Sequence, residues 1–375
     1  MERQRSLAGP AAREVALVAG LCLLMIVVLP LVLSEFRLAL LAKLLTFAIV
    51  ALAIDLAWGY TGMLSLGHGV FFGLGAYALA MHMKLEAAKD GLPDFMGWSG
   101  LHELPGFWVP FDSGAFSLLM VIVLPAVLAA GLGVLMFKAR VQGVYFSIIT
   151  QALALIATLL FVGQQPYTGG TNGMTNFSTL FGLPLIESSV QLGLYAATVV
   201  VLGLTYLALR FLTRSRAGAI LVAIRDQESR LRFFGYDPAM VKLAVFVLSA
   251  AIAGIAGALF VPQVGIITPT NMGIVPSIEM VIWVAVGGRG TLIGPIVGAL
   301  VVNAAKSGLS ESFPDFWQYF LGAMFVGAVV LFPDGVVGAL VRGVRRLNRM
   351  RDASATGSTP SLELPSTGRA LEAES

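Results

Sequence analysis

The chain has 375 residues, of which 57% are hydrophobic and only 12% charged, with a formal net charge of +3. Soluble domains carry roughly 25% charged residues, and a soluble core of this length does not hide so much apolar surface, so lipid must cover it. The pI near 9.1 would suit nucleic acid, but the basic residues are scattered between apolar runs, where they act as orientation signals; no nucleic-acid partner is expected.

A spanning helix takes ~20 mainly apolar residues. Residues 1–14 are basic and expected in the cytoplasm. The first run, 15–33, lacks a small-residue cleavage site and reads as a membrane anchor rather than a removed signal. Its Cys22 is the single cysteine, which leaves packing as its role. Then come 38–58 and a shorter Gly-rich stretch, 69–83, followed by an outer segment, 84–115, rich in Pro, Gly and aromatic residues. Runs 116–137, 143–163, 191–212 and 242–261 follow, with a large inner segment, 213–241, before the last. Two more short Gly-rich stretches, 274–287 and 291–305, precede 317–333. The tail, 342–375, is expected to be cytoplasmic and disordered. The predicted fold class is therefore all-α: a polytopic helical membrane protein with a transmembrane domain over 15–341. About ten crossings are expected, or eight if short helices pair as re-entrant hairpins.

Charge assigns the sides. With the N-terminus inside, the inner segments hold Arg3, Arg5, Arg13, Lys138, Arg140, the basic residues of 210–242, Arg289 and the cluster Arg342 to Arg351. The outer segments hold only Arg37, Lys84, Lys89 and Lys306. This asymmetry follows the positive-inside rule and places both termini in the cytoplasm.

Within the inner segment, 217–234 reads as an amphipathic surface helix. Ile220, Ile224, Leu231 and Phe234 share one side, while Arg225, Asp226, Glu228 and Arg232 occupy others. Gly235 supplies a left-handed stop, and Asp237 with Pro238 starts the next helix. Such a helix either rests on anionic lipid or docks a cytoplasmic partner.

Two glycine-rich interruptions, 58–69 and 286–295, sit beside short helices in the two halves. Breaks at membrane depth need protein or a water-filled cavity to satisfy the backbone, and paired breaks point to a transport path. The alternative is close packing, since Gly69/Gly73 and Gly294/Gly298 have the spacing that lets helices approach. A third segment, 164–176, is polar but uncharged; it suits a small polar solute or simply solvent.

Lys43 and Asp55 lie in one predicted span, ~18 Å apart along its axis, and are read as snorkelling from near its ends. Glu279 suits a structural ion pair. Ser65 and His68 would be neighbours on a helix, a faint hydrolase signal without a nucleophile elbow or an orienting acid. No phosphate-binding loop is present, so any ATP hydrolysis belongs to another chain. No metal, cofactor or catalytic residue is expected.

Five segments in order carry a resemblance: GYTGMLSLGHG (59–69), GGTNG (169–173), RSRAG (214–218), AIRDQ (223–227) and GGRGTLIGP (287–295). Over 38–340 they resemble the permease subunits of branched-chain amino acid ABC importers. The segments LPDFM (92–96), ELPGFW (103–108) and RDQESRLRFFG (225–235) resemble more closely the longer of the two permease subunits of the urea importer. The resemblance implies an inner-membrane complex with a second, homologous permease, two cytoplasmic ATPase subunits and a periplasmic binding protein. It implies ATP-driven alternating access with urea, or a related amide, as substrate; branched-chain amino acids are the alternative within the family, and an ion-coupled secondary transporter the alternative outside it.

The coupling positions implied are Arg214, Arg216, Gly218, Ala223, Arg225, Asp226, Glu228 and Gly235, although the family's Glu-Ala-Ala start is poorly kept. Pathway or helix-break positions are Gly59, Thr61, Gly62, Ser65, Gly67, His68, Gly69, Gly170, Thr171, Asn172, Gly287, Gly288, Gly290 and Gly294.

Overall fold

The computed structural model describes residues 2–88 and 91–312, with isolated positions from 319 to 335. The described residues form α1 (Glu2–Val32), α2 (Glu35–Ile54), α3 (His68–Ala88), α4 (Asp94–Trp98), α5 (Gly114–Lys138), α6 (Val144–Gly163), α7 (Gln165–Thr168), α8 (Ser188–Arg214), α9 (Arg216–Phe233), α10 (Pro238–Val264), α11 (Ile274–Gly287) and α12 (Ile293–Ser312). The chain is a polytopic helical membrane protein. Among the described residues α1, α2 with its extension to Tyr60, α5, α6, α8 and α10 are long and apolar enough to cross a membrane, and α11 and α12 are shorter apolar helices. Helices occupy nine of the ten expected runs; the tenth, 317–333, falls almost wholly outside the described residues, as does the tail, 342–375.

α2 is apolar all round, and such a helix belongs inside a bundle. It is buried from Ala48 through Ala57, with α8, α10, α11 and α12 packed around it. α1 lies at the edge against α8, with Cys22 in the packing and the Tyr195 hydroxyl donating to the Met25 carbonyl at 3.0 Å. Its outward side chains Leu17 and Leu31 stay exposed, as lipid contact requires.

α3 is longer than the stretch 69–83 suggested. At 1.5 Å per residue its 21 residues reach ~31 Å, about the thickness of the hydrocarbon core. It contains glycine, histidine and tyrosine because protein, not lipid, covers it. A Cβ on Gly75 would stand 2.1 Å from the Gly254 carbonyl oxygen, and one on Gly257 1.9 Å from that of Phe72. Only glycine lets α3 and α10 approach this closely.

α3 also runs on to Ala88, into the segment expected as loop. Lys84 ends buried, and its ammonium meets Asp94 at 2.7 Å, so the charge is satisfied without leaving the helix. Residues 94–112 fold back over this end: the Trp108 indole donates to the Tyr167 carbonyl at 3.1 Å, and His82 Nδ1 lies 3.0 Å from the Phe111 carbonyl. A two-residue antiparallel ladder joins Met174–Thr175 to Ile266–Ile267, tying the segment before α8 to the one after α10.

Candidate functional site

α2 does not end cleanly. It widens into a π-helical turn, Asp55–Tyr60, a geometry that loosens the regular ladder and recurs at functional positions. Asp55 is fully buried there. Its Oδ1 accepts from the Gly290 amide at 2.5 Å and its Oδ2 from the Leu292 amide at 3.1 Å. Leu292 has φ +60°, an unfavourable conformation for leucine that the carboxylate helps to hold. Asp55 therefore does not snorkel. It binds the loop between α11 and α12, and the backbone amides satisfy its oxygens where water cannot.

The same turn brings the two glycine breaks together. A Cβ on Gly59 would sit 2.5 Å from the Gly290 nitrogen, so both chains must lack side chains at this crossing. The Arg289 guanidinium lies over the Trp58 ring, 5.6 Å from its centroid. Gly287 and Gly294 meet in the hairpin between α11 and α12, where a Cβ on Gly287 would be 1.9 Å from the Gly294 carbonyl oxygen. Gly288 lies beside them and is buried.

After Thr61, whose hydroxyl donates to the Ala57 carbonyl at 2.5 Å, the chain unwinds over 62–67. α6 satisfies the freed backbone: Ser147 donates to the Leu64 carbonyl at 2.7 Å, and the Leu66 amide donates to Thr150 at 3.0 Å. Gly67 is pressed against Thr150, and the Gly69 amide donates to Ser277 at 3.2 Å. This is backbone irregularity sheltered by protein. Ser65 lies in the unwound stretch, not on a helix with His68, and its hydroxyl accepts from the Gly67 amide at 3.4 Å. His68 Nε2 instead meets Ser249 at 2.7 Å, whose own proton goes to the Ala53 carbonyl at 2.6 Å. No serine–histidine nucleophile pair forms between Ser65 and His68.

α9 closes this site from one end of the bundle. Ser215 caps it by accepting from Ala217, Gly235 ends it at φ +81°, and Asp237 caps α10 by accepting from Ala239 at 3.0 Å. Gln227 breaks its periodicity with φ −155° and ψ 80°. That kink corrects the expected apolar side: Leu221, Ile224 and Leu231 are buried, Ile220 is half-buried, and Phe234 is exposed beside Phe233. Arg225 Nη1 donates to the Gly59 carbonyl at 2.8 Å, and its Nε meets Asp226 at 3.0 Å. Gly62 lies against the same arginine side chain.

Other expected coupling residues also turn inward. Arg214 pairs with Glu14 of α1. Glu228 accepts from Gln142 and Arg232, both at 2.9 Å, and pairs with Lys242 of α10. Burial opposes ionisation of Glu228, but Lys242 and Arg232 outweigh it and hold its carboxyl below the ordinary value. Gly218 is buried against the Thr213 carbonyl, and Ala223 is half-buried. Arg216 and Asp226 remain on the outside with Arg230 and Phe233.

Gly170, Thr171 and Asn172 lie elsewhere. They form a turn in which Thr171 and Asn172 edge a cavity of about 530 Å³ with Lys84, Asp94 and Asn176. Lys43 is half-buried, its ammonium 5.9 Å from the Phe47 ring centroid. Glu279 pairs with Lys306 at 2.8 Å, as a structural ion pair should. Sequence reasoning missed Asp55; the signal was a carboxylate placed just before the first glycine of a helix break. It also missed Ser147, Thr150, Ser249 and Ser277, ordinary small polar residues until the fold aims them at freed backbone or at His68.

Comparison with known proteins decides the family. Residues 36–329 match the family described as branched-chain amino acid transport system / permease component. The chain belongs to that family. It is a permease component of the ABC importer class, a transport subunit rather than an enzyme. It is 26% identical to the high-affinity branched-chain amino acid transport system permease protein LivM of Escherichia coli (strain K12), over 78% of this chain and 67% of that one. It is 24% identical to the corresponding permease protein BraD of Pseudomonas aeruginosa, over 78% of this chain and 92% of that one. The ribose import permease protein RbsC of Escherichia coli (strain K12) is 24% identical over 56% of this chain and 66% of its own length. No solved structure gives a significant match.

Proposed function

We propose that this permease is half of the membrane pore of an ATP-driven importer in the bacterial inner membrane, working by alternating access. A second, similar permease completes the pore, two cytoplasmic ATPases drive it, and a periplasmic protein delivers the solute. Both termini face the cytoplasm, so α9 lies inside and the turn at 170–172 outside.

The observation that carries this reading is the connection from α9 to both helix breaks. Arg225 bonds Gly59, and the adjacent Asp55 bonds Gly290 and Leu292. A push on α9 from an ATPase therefore reaches the first break directly and the second through Asp55. The exposed Phe233, Phe234 and Arg230 offer the ATPase an amphipathic contact, while Glu228 and Lys242 fix α9 to α10 so that the push is transmitted rather than absorbed. Alternating access by movement of packed helices about loosened segments is an established way to expose one path to two sides.

For the substrate, the named relatives support branched-chain amino acids ahead of urea. A second reading, urea or a small amide, is supported by the segments 92–96 and 103–108, whose residues carry the finer resemblance. Uptake of labelled L-leucine and labelled urea should be measured in the host, with and without this gene and with and without ATP depletion. Loss of leucine uptake alone on deletion supports the first reading, and loss of urea uptake alone the second. Uptake that persists without ATP but collapses with an ionophore sinks both.

A further inference from the structure

We infer that a fissure between α5 and α8 holds the acyl chains of one outer-leaflet phospholipid whose headgroup carries an ammonium, as phosphatidylethanolamine does. The inference needs the membrane fold and not the importer reading; only the leaflet depends on the proposed orientation.

The fissure exists because α10 packs against both α5 and α8 while those two scarcely meet. Ile255, Ala258 and Leu259 of α10 form its floor. Gly254 and Gly257, beside them, draw α10 close to α5 and α3, which recesses that floor. Leu118 and Ile122 stand on the α5 wall. The α8 wall has the small residues Gly193 and Ala197, and a Cβ on Gly193 would meet nothing within 4 Å. Bulk lipid wets any apolar surface, such as the outward side of α1, but here the apolar surface is a slot with a floor and two walls.

Dimensions select the occupant. Along α8 the lining runs from Ser189 to Val201, or ~18 Å; one leaflet of the hydrocarbon core is ~15 Å deep. The volume is about 760 Å³. Spread over that length it gives a section of roughly 40 Å², about 7 Å across. A helix with its side chains is ~10–12 Å wide and does not enter; extended hydrocarbon chains do.

The outer end is roofed and polar. The hairpin that pairs Thr179–Leu180 with Leu183–Pro184 places Phe181 and Leu183 over it. Glu86 of α3 pins this roof, accepting from the Phe181 amide at 3.0 Å and from the Gly182 amide. At the rim stands Glu187, the single charged residue of the lining among the described residues, with the Ser189 hydroxyl donating to it at 3.3 Å. No cation pairs with Glu187 among the described residues. An ammonium headgroup complements that carboxylate, and an anionic headgroup is repelled by it.

The test uses the purified full chain, delipidated in detergent and titrated with palmitoyl-oleoyl phosphatidylethanolamine or phosphatidylglycerol. Native mass spectrometry and thermal unfolding are the readouts. One phosphatidylethanolamine should stay bound per chain and raise the melting temperature, and phosphatidylglycerol should bind about threefold more weakly. Gly193→Trp fills the slot from a position with open space and should weaken retention by about tenfold or more, as the loss of two buried methylenes would. Ala197→Phe, on the same wall, should do the same, so a folding defect in one variant does not decide the result. Glu187→Gln should keep the lipid and erase the headgroup preference. Wild-type retention in both filled variants overturns the site, and equal binding of the two lipids by the wild type overturns the headgroup. A disulfide between copies through Gly193→Cys, in a Cys22→Ser background in native membranes, would put a second copy where the lipid should be and overturn the inference.

Discussion

Arg225 and Gly59 are 166 positions apart, and the guanidinium donates to the glycine carbonyl at 2.8 Å. That carbonyl is available because the π-helical turn loosens the ladder around it. A hydrogen bond from a charged donor is worth about 1.5–3 kcal/mol. Arg225→Ala should reduce ATP-dependent uptake by about tenfold or more, since ~1.4 kcal/mol is already tenfold. Arg225→Lys keeps a donor and should retain part of the activity. The check is uptake normalised to membrane abundance; wild-type rates in Arg225→Ala would mean that the bond transmits nothing.

Asp55 satisfies two buried amides at once. Asp55→Ala leaves both without an acceptor, at about 1–3 kcal/mol each. Asp55→Asn retains one acceptor oxygen and should lose about half as much. Thermal unfolding of the purified chain in detergent should rank wild type above Asp55→Asn and Asp55→Asn above Asp55→Ala.

Gly257 and Gly235 separate crowding from backbone strain. A methyl at Gly257 would fall 1.9 Å from the Phe72 carbonyl oxygen, while one at Gly235 meets open space but sits at φ +81°. Gly257→Ala must force α3 and α10 apart, costing about 1–3 kcal/mol or more. Gly235→Ala should cost about 1–2 kcal/mol, the left-handed penalty alone. Gly257→Ala should therefore lower the melting temperature more and also reduce the yield of folded protein.

The clamp of α9 on α10 should respond to acid. Glu228 is held below its ordinary value of 4.5 by Lys242 and Arg232 acting against burial. A carboxyl depressed in the folded state contributes stability that is complete above its unfolded pKa and is lost as pH falls through the folded one. Hydrogen-exchange protection of α9, corrected for intrinsic rates, should stay level from pH 8 to about pH 5. It should fall only in more acid solution. Glu228→Gln should remove this dependence, lowering protection at neutral pH and converging with wild type in acid.

Sidedness is open to direct labelling because Cys22 is the single cysteine. In a Cys22→Ser background, Asn172→Cys should react with an impermeant maleimide on intact spheroplasts. Arg230→Cys should react only after permeabilisation. The reverse pattern would invert the orientation on which the coupling role of α9 depends.

The residues alone determined the membrane fold, the run of helices and the caps at Gly235 and Asp237, because hydropathy and capping are local properties of a few neighbouring side chains. They also marked both glycine breaks and paired Glu279 with an ion partner in kind, if not in name. They did not give the meaning of Asp55, read as snorkelling, since a carboxylate's partners 235 positions away are invisible to local pattern. Phe234 was misplaced because one non-helical residue, Gln227, ends the periodicity on which the amphipathic reading relied. Only the tertiary structure decided that the two breaks are one site tied to α9. The physical reason is that backbone amides, and a carbonyl bonded from a guanidinium, make that junction, and every residue's backbone is alike in sequence until the fold chooses which ones meet.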